Sequence, residues 1–349
     1  MIAYNSLKIE RLVMHRILPK NSTRDHVEAQ FSNNLVILDD NIQSLIRERL
    51  ISSFGRQGKA FNLSIKKDEA GSCFDSIKNL SSLNDKQFLE ISKGIAQLLA
   101  DCQDARSNIP GGYFLLVQAS EPYHKENVYI ILKAEKQEAL SDVDNSVQAV
   151  KNIFLSPAQK MYKAGVFEQV QSTESLSKED FRAYLYDSQF NDGTKLANYF
   201  YRDFLGLSID GNSQVQTKAF YDLFVNTIDR VFKSDIENLN LCKEQLCSEM
   251  LNQSKSLHAH DIITRIIPID NRDVFIAKVV EEFPNSFVKD CALINKKLQQ
   301  RTVHLTGSIK LSAPSESFFN KEITIEPDPE NPTIKIIRIK VHENEKEDT

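Results

Sequence analysis

Glycine is scarce in this chain, and the 11 glycines among 349 residues are not spaced to hold a phosphate. There is no GxxxxGK followed by Ser or Thr, and no GxGxxG, so the common nucleotide-binding loops are excluded. A GxSxG nucleophile elbow is missing as well, and tryptophan is absent. The five cysteines, Cys73, Cys102, Cys242, Cys247 and Cys291, are odd in number and widely spread. Even the nearest pair, Cys242 and Cys247, has neither redox CxxC nor zinc-ligand spacing. Reduced thiols in a cytoplasmic protein are the expectation. No stretch reaches the ~18 consecutive apolar residues of a membrane span. The opening MIAYNSLKIERLVMHRIL carries charges inside its apolar run, unlike a signal peptide. These absences point to the cytoplasm and to no membrane partner. An excess of positive charge is lacking too: 43 basic against 48 acidic residues give a net charge of −5. That excludes a globally basic DNA-coating protein, but not a local basic face.

What is present is the composition of an ordinary globular protein, 41% hydrophobic and 26% charged. Its length predicts two or three domains with a core that needs no disulfides. Residues 7–18, LKIERLVMHRIL, predict a strand that stops at Pro19. Its alternation changes phase near Glu10 and Arg11, which predicts a bulge. Residues 34–40, NLVILDD, predict a second strand. Asp39 or Asp40 then caps a helix to about Phe54, with Ile42, Leu45, Ile46 and Leu50 on one face and Gly55 as its stop. Residues 59–65 are expected to be extended, and 85–101 form a helix with Phe88, Ile91, Ile95, Leu98 and Leu99 in register. Residues 113–119 and 128–134 predict a hairpin.

Residues 142–171 follow no single pattern, and 181–189 alternate like a strand. Helices are expected at 195–207, capped by Thr194 and stopped by Gly206, and from Ser213 to about Lys233. Phe220, Leu223, Phe224, Ile228, Val231 and Phe232 share one face of the second. Further helices are expected at 235–255, 260–266 and 272–282. Residues 301–312 read as one strand, APSES as a loop, and 321–341 as strand, turn, strand around PDPENP. The fold class expected is α+β. It comprises an N-terminal mixed α/β domain at 1–175, a mainly helical middle at 176–300, a C-terminal antiparallel β-hairpin region at 301–341 and a charged tail at 342–349.

The stretch KLANYFYRDFLGLS, residues 195–208, holds four aromatic residues and an Arg. On a helix Leu196, Phe200, Phe204 and Leu207 make one stripe, with Tyr199 beside it. A base-stacking platform needs exposed aromatics on a basic surface, so core or dimer packing is the better reading of the phenylalanines. Tyr201 and Arg202 point elsewhere and are kept as contact candidates. Together with QTKAFYDLF, residues 216–224, this stretch resembles the bacterial nucleoid-associated protein family of the YejK/NdpA type. Lys59-Ala60-Phe61 is similar to that family's Lys-Ala-Tyr. The paired strands around YFLLV and VYIIL, and the closing hairpin ITIEPDPENPTIKIIRI, fit as well. The resemblance implies association with the nucleoid, DNA binding and contact with type II topoisomerases. One departure is QQRTVHLTGS, which has a single Gly where the family often has a Gly-rich polar run.

Chemistry leaves few marks. HAHD, residues 258–261, offers two imidazoles and a carboxylate, but His at i and i+2 do not share a helix face. A solvated loop with a cap at Asp261 is the simpler reading. EPDPENPTIKI superficially resembles a PD…(D/E)xK nuclease core, yet the strand that follows supplies no second carboxylate for two-metal hydrolysis. Basic residues that could meet phosphate are Lys296, Lys297 and Arg301, then Lys335, Arg338 and Lys340, with Lys310 on the strand before. Arg338 and Lys340 share one strand face.

The function expected is a cytoplasmic, nucleoid-associated, non-enzymatic protein without cofactor. It binds double-stranded DNA with little sequence preference, as a homodimer buried partly through its central helices. Two other classes compete. One is an adaptor that binds a topoisomerase, recombinase or nuclease, or serves an antiphage defence system acting on foreign DNA. The other is an unrecognised hydrolase, which predicts metal-dependent DNA loss.

Overall fold

The computed structural model describes residues 2–55, 59–106, 109–122, 126–135, 137–143, 146–153, 162–171, 175–190, 194–305, 309–331 and 334–340, with only the backbone in 137–143 and 146–153. The class is α+β, with a large antiparallel sheet and small C-terminal hairpins. Residue contacts divide the chain into two compact units, Met1–Asn212 and Ser213–Thr349.

In the first unit the order is β1 (Lys8–Leu18), β2 (Glu28–Gln30), α1 (Asp40–Phe54), β3 (Ala60–Ile65), α2 (Cys73–Ile77), α3 (Asp85–Asp104), β4 (Gly112–Ser120), β5 (Asn127–Ala134), β6 (Gln137–Val143), β7 (Ser146–Ile153), β8 (Lys163–Gln169) and β9 (Phe181–Asp187). A π-helical turn (Tyr199–Phe204) and β10 (Leu207–Ser208) follow. Eight of these strands make one sheet in the order β10-β3-β9-β8-β5-β4-β1-β2, all pairs antiparallel. β6 and β7 pair with each other.

The sheet is covered on both faces. On one face Ile46 and Leu50 of α1 pack on Leu115, Val117, Ile130, Leu132 and Val166. On the other, His15 stacks on Phe114 and bonds Ser92 of α3 at 2.9 Å. Phe74 of α2 meets Phe167 there, and Leu205 covers Gly165. Burial on both faces is why β4 and β5 are apolar almost without alternation. The bulge of β1 lies between Ile9 and Arg11, as the phase change predicts. It aims Arg11 at the carbonyls of Leu80 and Leu83, both at 2.8 Å. α1 begins and ends where its caps require: Asp39 accepts from the Ile42 N–H at 2.7 Å, and the Gly55 N–H bonds Ile51.

Several expectations are corrected. Residues 34–40 form no strand. Val36 bonds Leu12 once, Ile37 is 89% exposed and Asp39 is already committed as a cap. β1 instead takes β2 at that edge. The helix expected from Thr194 starts at Tyr199, because the Ala197 N–H bonds Asp187 and Thr194 bonds back to the Gln189 carbonyl. The patternless stretch 142–171 carries β7 and β8 and the end of β6.

The second unit holds α4 (Ser213–Val231), α5 (Ile236–Leu251), β11 (Ser256–Leu257), α6 (Ala259–Ile266) and α7 (Arg272–Phe275), which runs on as a π-helical segment (Ile276–Val280). Then come β12 (Phe287–Val288), α8 (Asn295–Leu298), β13 (Gln300–His304), β14 (Lys310–Pro314), α9 (Ser315–Phe319), β15 (Ile323–Pro327) and β16 (Lys335–Ile339). Phe220 and Phe224 of α4 pack against Phe275, Phe283 and Phe287. The single strand expected at 301–312 is two, β13 and β14, folded into a hairpin. Ser315 and Glu316 of APSES open a short helix rather than a loop. β15 and β16 pair as expected, and the Asp328 carboxylate accepts from the N–H groups of Glu330 and Asn331 to hold the turn. The charged tail 342–349 lies outside the described residues.

The stretch 195–208 is core. Phe200 and Phe204 are 1% exposed, and Tyr201, kept as a contact candidate, is buried as well. Arg202 is exposed and pairs with Asp203. Phe200→Ala is expected to lose about 3–5 kcal/mol of stability, and Arg202→Ala less than about 1 kcal/mol, as read by urea unfolding followed by circular dichroism.

Candidate nucleic-acid interface and a buried lysine centre

The seven basic residues singled out by sequence all fall in the second unit, on three short elements. Lys296 and Lys297 lie on α8. Lys296 is exposed, whereas Lys297 donates to the Asp222 carboxylate at 2.7 Å and lies over the Tyr221 ring. Lys218 bonds the same carboxylate, so this charge is shared between two amines. Arg301 on β13 pairs with Glu244 at 2.6 Å and lies over Phe318.

Lys310 opens β14 opposite His304. The His304 ring nitrogen is 3.4 Å from the Lys243 amine. Partial burial, with Lys243 and Lys310 adding to it, holds the imidazole below its ordinary value. Lys335 and Arg338 lie on β16, and Lys340 continues its ladder by bonding Glu322. Arg338 makes a long, exposed contact of 3.8 Å with Glu326. Lys310 belongs to the β13–β14 sheet, and Arg338 and Lys340 to the β15–β16 sheet. Among the described residues Lys296, Lys310, Lys335 and Lys340 have no carboxylate partner.

Metal chemistry finds no foothold among the described residues, where no group of three His, Cys, Asp or Glu side chains is placed to hold an ion. His258 and Asp261 of HAHD pair with each other at 3.2 Å. All five cysteines carry free thiols, and burial raises the pKa of each. No helix among the described residues is long and apolar enough to cross a membrane.

The first unit contains a charged centre that sequence reasoning missed. Register places Lys133 of β5 opposite Lys163 of β8, and Lys163 opposite Asp187 of β9. Both lysines are buried, at 0% and 1% exposure. The Lys163 amine donates to Asp187 at 2.6 Å. The Lys133 amine donates to the Pro110 carbonyl at 2.9 Å. The Tyr162 ring lies between the two amines, 4.9 Å from Lys133 and 4.6 Å from Lys163. The Tyr199 hydroxyl is buried beside them without a hydrogen-bond partner. Burial pushes Lys133 down to about 7; Glu135 opposes the shift and Lys163 adds to it. Burial lowers Lys163 too, against the pull of Asp187. The only sequence signal was a lysine ending an otherwise apolar run in β5, which reads equally well as a strand end.

This centre explains why certain words recur in the sequence. Asp187 also accepts from Ala197, inside the stretch 195–208. Lys59 donates to the carbonyls of Ser188 and Phe190 just beyond Asp187. Gly206, with φ of +69°, accepts from the N–H groups of Lys66 and Lys67.

The first unit is thus an antiparallel sheet clothed by helices on both faces, and the second a helical unit that ends in basic hairpins. The family profile described as nucleoid-associated protein YejK matches residues 13–340, and the chain belongs to that family. No curated protein matches it.

Lys133 sets a pH dependence. In the unfolded chain its amine titrates near its ordinary value of about 10.4, and in the folded one at about 7. Between those values the unfolded chain binds a proton that the folded chain does not, so stability rises with pH there. Below the folded value both states are protonated and the cost of burial is present in full. Urea unfolding between about pH 7.5 and 9.5 is expected to show stability rising by of order 1 kcal/mol per pH unit. Lys133→Met should flatten that slope, and a flat parent profile would refute the assignment.

Proposed function

We propose that this chain is a non-enzymatic, DNA-associated protein of the nucleoid that holds duplex DNA through phosphate contacts from its C-terminal hairpins. The observation that carries the reading is a set of exposed lysines without carboxylate partners, on a protein whose family is nucleoid-associated. Lys310, Lys335, Arg338 and Lys340 lead, with Lys296 beside them. Lys297 and Arg301 must first leave Asp222 and Glu244, so they contribute less. Single lysines on exposed strands meet phosphate as point charges and carry no base readout, which is the reason for proposing little sequence preference. A topoisomerase or another DNA-processing protein is the kind of partner such a protein would position on DNA.

A mobility-shift titration of duplex DNA at low and high salt tests this, with a parallel Mg²⁺ lane to reveal cleavage. The expected result is a shift that weakens steeply with salt, by close to one power of salt concentration per phosphate contacted. Arg338→Glu with Lys340→Glu should weaken binding by about tenfold or more and lower the salt slope by about two. Absence of a shift at low salt would overturn the reading, and degraded DNA in the Mg²⁺ lane would replace it with an enzyme.

A further inference from the structure

We propose that the free edge of β16 is a docking site for an extended acidic segment of a partner protein, which joins the β15–β16 hairpin as a third strand. The proposal is independent of DNA binding.

The ladder shows which groups are available. Lys340 donates to Glu322 at 2.8 Å and Asp328 donates to Ile334 at 2.9 Å. In an antiparallel pair the hydrogen-bonded positions alternate, so Ile336 and Arg338 bond inward to Glu326 and Thr324. Lys335, Ile337 and Ile339 therefore turn their N–H and C=O groups outward. These groups have no partner among the described residues, and the sheet has no third strand. The opposite edge differs. Its outward positions are Ile323, Ile325 and Pro327, and proline has no N–H to offer. One edge of the hairpin is blunted and the other is open.

Side chains narrow the occupant. Ile323, Ile325, Ile337 and Ile339 lie on one face as two cross-strand pairs. Ile337 is 38% and Ile339 59% exposed, so a neighbouring strand with apolar residues at alternate positions would bury them. The charged residues along 335–340 are Lys335, Arg338 and Lys340, all basic; the hairpin's carboxylates, Glu322, Glu326, Asp328 and Glu330, lie on β15 and in the turn. A second copy pairing edge to edge would set these cations against one another, which disfavours self-association. An alternating acidic and apolar strand meets both demands, because main-chain bonds supply affinity and the two faces supply selectivity.

The test uses the full chain and a fluorescein-labelled peptide that alternates Val and Glu, followed by anisotropy. A second peptide with Lys in place of Glu is the control. Saturable binding of the Val–Glu peptide is expected, at least about tenfold tighter than that of the Val–Lys peptide. Ile337→Pro deletes an outward N–H while leaving the ladder to β15 intact. It should weaken peptide binding by about tenfold without altering the thermal melt or the duplex affinity. Absence of saturable binding, equal affinity for the two peptides, or indifference to Ile337→Pro would overturn the proposal. So would an Ile337→Pro variant that loses duplex binding equally. Concentration-dependent dimerisation abolished by Ile337→Pro would assign the edge to a second copy and overturn it likewise.

Discussion

The first unit depends on a buried ion pair, Lys163 to Asp187, set side by side on neighbouring strands of the sheet. A carboxylate so enclosed is tolerated only when its lone pairs are filled, and Asp187 fills them from three directions. One oxygen takes the Lys163 amine and the Gln189 N–H, and the other takes the Ala197 N–H. That last bond fixes where the chain enters the π-helical turn. Phe200, Phe204 and Leu205 are thereby set in the core, with Leu205 pressed on Gly165, where a Cβ would approach its side chain to 2.5 Å. Removing one member of such a pair leaves a charge stranded in a dry interior, a loss of about 3–5 kcal/mol. The conspicuous stretch 195–208 is thus the clamp over a buried charge.

Much of the fold was legible because local chemistry and tertiary demand agreed. The bulge in β1, the caps of α1, the β4–β5 hairpin and the phenylalanine stripe of α4 all stand where composition and period put them. Failures occurred where a distant partner decides. Residues 34–40 carry strand-like residues, but their neighbour β1 offers them one bond and gives the rest of that edge to β2. Residues 301–312 look like one strand because the reversal at 305–309 carries a single Gly and no Pro.

The candidate site divides along the same line. That the C-terminal third carries basic residues is plain from sequence alone. Which of them are free is not, because Asp222 and Glu244, the partners of Lys297 and Arg301, lie 75 and 57 residues away. The lysine centre was hidden for a related reason. A lysine at a strand end is ordinarily solvated, and only the register of three strands brings Lys133, Lys163 and Asp187 into one row.

The π-helical turn Tyr199–Phe204 has a bearing on which length changes the chain could survive. A π-turn is wider than an α-turn and is found mostly as a local bulge in helices. Deleting one residue there would close an ordinary α-turn and rotate everything after it by about 100°. Leu205 would swing away from Gly165, and Gly206 would no longer meet Lys66 and Lys67. Helical phase, more than the identity of any one aromatic ring, therefore constrains this segment: its rings can be exchanged for others of similar size, but its residue count cannot change.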